Sequence, residues 1–232
     1  MPITVNQIKA SISESKGKGI KSGLVGCEFS DSVRSEFEKK GWNMFSCDLL
    51  PSSNPLNKKH YQGDVLDLLG LGWDLGIFHP PCTYLTVSQA WTFNRPDLYP
   101  HREQQRADSI SFVESIWDCS IPHLCIENPV GFLSTMSKLG KPTQSIQPYN
   151  FGEDASKKTC LWLRGLNALT NTQYVAPRLV NGKKRWSNQT DSGQNRLGPS
   201  EDRWAKRSET FSGIAKAMAD QWTEYLVKIL QD

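Results

Sequence analysis

Cys82 follows two prolines at the end of an apolar run. The run, Leu75 to Phe78, reads as a short buried strand. Pro80 and Pro81 have no N–H to give to a sheet ladder, so the chain must leave the sheet there. A thiol on that stiff turn would sit at the carboxyl edge of the strand, where open α/β sheets bind ligands and where covalent chemistry is possible. An ordinary buried cysteine in a strand-to-loop turn fits the same residues. Glu127, followed by Asn128 and Pro129, ends a second apolar run at Leu124 to Ile126. A carboxylate in that position is costly unless it is hydrogen-bonded or functional. Were the two strands neighbours, a thiol and a carboxyl would face one pocket. That pair suits attack on an electron-poor ring, with the acid protonating or holding a ring nitrogen.

Further acids fall in order at strand ends: Glu28 or Asp31, then Asp48, then Asp64. A carboxylate after the second strand of a doubly wound sheet can accept both hydroxyls of a ribose. One after the third can accept from an adenine amino group. Ser30 to Ser32 opens a helix, whose N-terminal N–H groups favour an anion such as a carboxylate. Each acid taken singly also fits a helix cap or a loop; together they favour a nucleoside-containing cofactor.

The elements that must position these residues alternate between strand and helix. Leu24 to Phe29, Trp42 to Cys47, Gly63 to Val65, Leu75 to Phe78 and Leu124 to Ile126 read as strands. Helices are expected from Val33 to a stop at Gly41 and from His101 to Trp117, with a short helical turn at 66–71. Thr86 to Pro100 reads as irregular. Thr159 to Leu163 is a further strand, and Ser212 to Leu230 is an amphipathic helix with Ile214, Met218, Trp222 and Leu226 in step. This alternation predicts an α/β fold with a doubly wound, mostly parallel sheet. Residues 1–22 are polar and contain glycines, and are expected to form a loosely held arm before a domain at 23–232.

At 232 residues the chain fits one domain. Its formal charge of +3 is too small to demand a nucleic-acid partner by itself. The six cysteines form neither a C-x-x-C pair nor a metal-ligand spacing. Most sit beside apolar runs, which suits reduced thiols and a cytoplasmic protein. No signal-peptide pattern and no membrane span is visible, and no metal is expected.

In their order along the chain these motifs resemble the DNA cytosine-5 methyltransferases, more closely the small phage-encoded forms. Cys27 to Ser30 with Val33 and Arg34 stand at that family's first cofactor loop, Asp48 at its ribose acid, and Asp64 with Val65 at its adenine contact. Pro80-Pro81-Cys82 matches its nucleophile motif and Glu127-Asn128 its Glu-Asn motif. Phe151-Gly152 with Lys157 and Lys158 resembles its later basic motif, and Ser212 to Ala215 its last. The resemblance implies a Rossmann-like fold of the class I S-adenosylmethionine-dependent type and methyl transfer to C5 of cytosine in DNA. It assigns catalysis to Cys82, Glu127 and Lys158. It assigns S-adenosylmethionine to Glu28, Phe29, Ser30, Asp48, Leu49, Asp64, Val65, Pro80 and Ser212. Substrate contacts would come from Pro81, Asn128, Lys157 and Arg164. The implied chemistry is base flipping, addition of Cys82 to C6, support of the N3 and amino edge by Glu127, methylation at C5 and elimination. The pocket is expected to lower the Cys82 pKa, with help from Lys157, Lys158 or Arg164.

In place of a large recognition domain the chain has only an insert at about 165–210. Lys183, Lys184, Arg185, Arg196, Arg203 and Lys206 lie there among Trp186, Trp204 and several amides. Basic residues contact phosphates, amides read base edges and aromatics stack, so the insert is expected to contact DNA. A solvated loop has the same composition. The closely spaced glycines of the family's first loop are absent, with Ser30-Asp31-Ser32 in their place. Two alternatives stay open: action on another pyrimidine C5, or a catalytically weak relative that binds cofactor, DNA or a host defence protein. A monomer is the favoured state.

Overall fold

The computed structural model describes residues 3–201 and 203–229; the side chains of Gln89 and Trp204 lie outside the described residues, as does Leu230. The chain begins with α1, Val5–Gly17. Thr4 opens it with a reciprocal cap: its hydroxyl accepts from the Gln7 N–H, and the Gln7 side chain accepts from the Thr4 N–H. Ile8 and Ile12 point into the core. The expected loose arm is therefore a packed helix; burial of two isoleucines outweighs the weak helix propensity of Ser13 to Gly17.

Next come β1, Ser22–Gly26; α2, Ser32–Glu38; β2, Asn43–Asp48; and β3, His60–Gln62. A 3-10 turn at Val65–Leu68 leads to β4, Leu75–Phe78. A second 3-10 stretch, Val87–Asn94, occupies the segment that reads as irregular, and α3, Arg102–Trp117, follows. The rest is β5, His123–Pro129; α4, Leu133–Met136; β6, Gln144–Ile146; β7, Thr159–Arg164; β8, Arg178–Val180; β9, Lys183–Arg185; α5, Arg203–Ser208; and α6, Ser212–Lys228.

These strands build a seven-stranded sheet in the order β3-β2-β1-β4-β5-β7-β6, with β8 and β9 as a separate hairpin. β1 to β5 are parallel, and β7 runs antiparallel between β5 and β6. The fold is thus mixed α/β, with a mostly parallel sheet. Strand side chains alternate between two cores. Leu24, Phe45, Phe78, Leu124 and Ile126 face α1 and α3. Val25, Met44, Leu75, Ile77 and Cys125 face α2 and α6. Helices on both faces leave the strands apolar on both sides, which is why they read as continuous apolar runs. α6 is held by Trp222, fully buried, whose indole N–H donates to Asn167 O at 3.0 Å. Gly213 lets it approach: a Cβ there would lie 1.8 Å from Phe151 O. Among the described residues no helix is long and apolar enough to cross a membrane.

Strand order reverses between β1 and β4. In a doubly wound sheet the crevice beyond the carboxyl ends of such a pair is the place for a ligand. The residues just beyond are Cys27–Asp31 on one side and His79–Cys82 on the other.

Candidate active site

β4 and β5 lie side by side in register, Phe78 opposite Ile126, so His79, just past β4, lies beside Glu127, which stays in β5 and pairs with Leu161 of β7. His79 Nδ1 donates to Glu127 Oε2 at 3.1 Å. One residue on, the Asn128 amide donates to Pro80 O at 2.8 Å. Further out, Phe132 N–H donates to Leu85 O at 2.7 Å, and Thr86 bridges Gly131. A Cβ on Gly131 would sit 1.9 Å from Leu85 O, so glycine is what lets the loops meet. The Cys82 carbonyl accepts from both Leu85 and Thr86, closing a tight turn after the prolines. The loop bearing the thiol is thus tied to the end of β5, which bears the carboxylate, and to the loop that follows it.

Glu127 is held below the usual carboxylate range. Burial works against ionisation, but the His79 hydrogen bond and charge, Lys157 and Thr159 together outweigh it. Cys82 is half-buried and free. Its thiol is pushed up, first by burial and then by the Glu127 charge, with Lys157 and Arg207 acting the other way. This corrects the expectation of a lowered thiol: the carboxylate that the chemistry needs nearby also opposes a thiolate. The helping cation is Lys157, whose Nζ also donates to Arg207 O at 2.8 Å. Lys158 is solvent-exposed. Arg164 is at the opposite edge of the sheet, where it donates to the carbonyls of Trp117, Cys119 and Ile121. Arg164 therefore does not belong to the site.

Alkylation of Cys82 by iodoacetamide, followed by peptide mass spectrometry, is expected to be slow at pH 7. It should rise through a pH range above that of an ordinary thiol. Glu127→Gln removes a negative charge and shifts the profile to lower pH; Lys157→Gln removes a positive one and shifts it higher. A profile unmoved by either substitution would contradict this electrostatic picture.

On the β1 side, Cys27 and Asp31 take left-handed backbone, φ 58° and φ 66°, at an estimated cost of about 1 kcal/mol or more each. The turn they form places Glu28, fully buried, at the start of α2. Its carboxylate accepts from Val33 N at 2.6 Å and Arg34 N at 3.3 Å. Burial pushes the Glu28 carboxyl up, partly offset by the nearby His79 and these N–H groups. The anion expected at this helix N-terminus is therefore the chain's own Glu28, which is committed to capping and is withdrawn as a cofactor contact. Asp31 is likewise engaged, with Arg34, Asn54 and Asn57.

Asp48 and Asp64 keep the expected placement. Asp48 ends β2 and Asp64 lies just past β3, and both charges, after burial, help push the Cys27 thiol up to about 12. Each accepts one local N–H, from Leu50 and from Leu66 respectively, leaving acceptor capacity unused. Leu49 beside them is 74% exposed, an apolar surface next to two acids. Val65 is instead buried in the core against Gly26. Phe29 and Ser30 lie half-buried on the turn, and the Ser30 hydroxyl leans on Glu28 at 3.4 Å. Pro80 is buried with its carbonyl occupied by Asn128, while Pro81 is exposed at the rim. Asn128, itself buried, ties loops and does not open to a ligand. Ser212 donates to Glu153 at 2.7 Å, so it serves the cap of α6.

The insert is a built structure and not a solvated loop. Trp186 is buried, stacks on Tyr149 at 4.0 Å and donates to Val175 O. The Asn188 amide pairs with both backbone groups of Ser156. Arg185 donates to the carbonyls of Lys184, Asp191 and Ser192, and Arg196 donates to Gln189 O. Lys183 and Lys184 are exposed on the hairpin, and Arg203, at the start of α5, has a buried Nε without a partner. Of the expected DNA-contacting residues, Trp186, Asn188, Arg185 and Arg196 are thus occupied in holding the insert together.

By sequence His79 could either close over the site or take a packed structural role; the structure puts it on Glu127. Its signal was position alone, directly before Pro80. Among the described residues no group of His, Cys, Asp and Glu could hold a metal ion. No family model matches the chain, and no curated protein matches it at a significant level.

Proposed function

We propose that the protein transfers a methyl group from S-adenosylmethionine to C5 of cytosine in DNA through a covalent Cys82 adduct. The observation that carries this is the tied pair of loops, which brings a thiol, a carboxylate held ionised and the Lys157 ammonium to one sheet edge. The seven-stranded, mostly parallel sheet with helices on both faces is compatible with the class I methyltransferase type.

The residues fit a nucleoside-bearing donor at the β1–β2–β3 end. Asp48 would accept from ribose hydroxyls, Asp64 from the adenine amino group, and Leu49 would cover a face of the purine. When bound, the donor supplies an electrophilic methyl group. Lys157 favours the Cys82 thiolate, which adds to C6 and pushes the C5–C6 π electrons onto C5. The Glu127 carboxylate, fixed through Oε2 by His79, accepts from the exocyclic amino group and orients the ring. C5 would take the methyl group, releasing the donor as its thioether; water would then accept the C5 proton, the C5–H electrons would re-form the C5–C6 double bond, and the Cys82 sulfur would leave as thiolate.

An ionised Glu127 also suits a pyrimidine that carries a proton on N3. That favours, as a second reading, a uracil-type base as acceptor. The test of both is incubation with labelled S-adenosylmethionine and duplexes containing cytosine or uracil, with nucleosides resolved by mass spectrometry. 5-Methyldeoxycytidine is the expected product. Thymidine from the uracil duplex alone would move the assignment to the second reading, and cofactor binding without either product would end both.

A further inference from the structure

We infer that Arg102 and Arg106, on the first turns of α3, form a phosphate clamp for a DNA strand passing the Cys82 loop. The inference rests on the DNA reading above and replaces the insert arginines as the main backbone contact. The two guanidinium groups are one helical turn apart, on one face of α3. Each sits over aromatic rings of the segments around the site. Arg102 is 4.9 Å from the Tyr84 ring centre and 5.1 Å from that of Tyr99. Arg106 is 3.9 Å from the Phe93 centre and 4.9 Å from that of Phe132. Tyr84 is two residues past Cys82, and Phe132 is on the Glu127 loop, so the clamp is attached to both halves of the site.

Contact with a ring uses the face of a guanidinium and leaves its in-plane N–H donors free for another partner. Neither arginine side chain forms an ion pair or a hydrogen bond among the described residues, and the Arg102 Nε is buried without a partner. This contrasts with Arg185, Arg196 and Arg178, whose donors are taken by carbonyls or by Asp191. A cation held in place without a counter-ion suits a phosphate, which a planar fork can bind through two parallel bonds. Arg106 also borders a groove of about 320 Å³ along α3, between Glu103 and Glu114, so an anion approaching from that groove meets two carboxylates. The rings that hold the two guanidinium groups place the strand on the loop side. There Trp91 is 55% exposed and touches Tyr99 edge to face at 5.5 Å, so its free surface can stack on a base.

The test is fluorescence anisotropy with a labelled duplex over a range of salt, for the full chain and for Arg102→Gln/Arg106→Gln. Each lost phosphate contact lowers the slope of log K against log salt by about 0.9. The double variant is expected to lose a slope of about 2 and to bind roughly 10- to 100-fold more weakly near 0.1 M salt. Arg102→Lys/Arg106→Lys keeps charge but not the fork, and should fall between; it guards against a loop that simply unpacks. Cofactor affinity, measured in parallel by calorimetry, should stay within about twofold. Equal slopes for wild type and double variant overturn the clamp while leaving the DNA reading intact. A slope lost instead in Lys183→Gln/Lys184→Gln returns the contact to the hairpin and also overturns it. Wild type that does not bind DNA at all ends both.

Discussion

Replacing Cys82 by alanine is expected to lower methyl transfer by about 10⁴-fold or more, because the step it removes has no substitute in the site. Among the described cysteines, Cys47 and Cys125 are buried, and Cys27 lies on the β1 turn among carboxylates that oppose a thiolate. The substitution removes a half-buried sulfur from a loop whose hydrogen bonds run through backbone groups, so the fold should survive. DNA and cofactor binding should stay near the wild-type values, separating chemistry from recognition. A duplex carrying 5-fluorocytosine should trap the wild-type protein as an adduct at the peptide containing Cys82. The fluorine cannot leave as a proton does, so elimination stops. Transfer by the alanine variant within tenfold of wild type, or a trapped adduct at another cysteine, would rule out this route.

The second large effect is expected at Glu127. Glu127→Gln keeps the shape and an acceptor for His79 Nδ1 but removes the charge that, on the proposed mechanism, holds the base edge. A fall in kcat of about 10²- to 10³-fold is expected, with binding of DNA little changed. Glu127→Ala should be worse, because it also strands a buried imidazole N–H that now donates at 3.1 Å. The Cys82 thiol moves the opposite way in these variants, becoming more acidic. A variant with a more reactive thiol and slower turnover would be the signature of a carboxylate needed by the base. Turnover that rises with thiol reactivity would show that Glu127 is only an electrostatic burden.

Much of this architecture was legible in the residues. β1, β2, β4, β5 and β7 are buried on both faces, so their apolar runs stood out, and α3 and α6 carried helical spacing. β6 and the β8–β9 hairpin have only three residues per strand, too few for any period to show. The separation of Lys157 from Arg164 depended on direction, which residue pattern does not encode. β7 runs backwards, so its start lies at the carboxyl edge of β5 and its end at the far edge, Thr159 opposite Pro129 and Arg164 opposite Leu124. A lysine just before β7 thereby reaches the thiol, and an arginine at its end cannot. The role of Glu28 was hidden for a different reason. Its type and place suit a ligand contact, and only the left-handed turn at Cys27 and Asp31 aims it at α2 instead. The insert misled by composition: arginines and a tryptophan that look free in a polar stretch are consumed by nearby carbonyls and by Tyr149.

The stitching of the Cys82 loop to the Glu127 loop has a bearing on who must rearrange during turnover. With Asn128 fastened to Pro80 and Phe132 to Leu85, the cleft has little slack left to close around a visitor. On the proposed reading, the conformational labour then falls on the nucleic acid, which must unstack and swing a nucleotide into a mould already cast. Duplexes weakened at the target, by a mismatch or a neighbouring gap, would in that case be the fastest substrates.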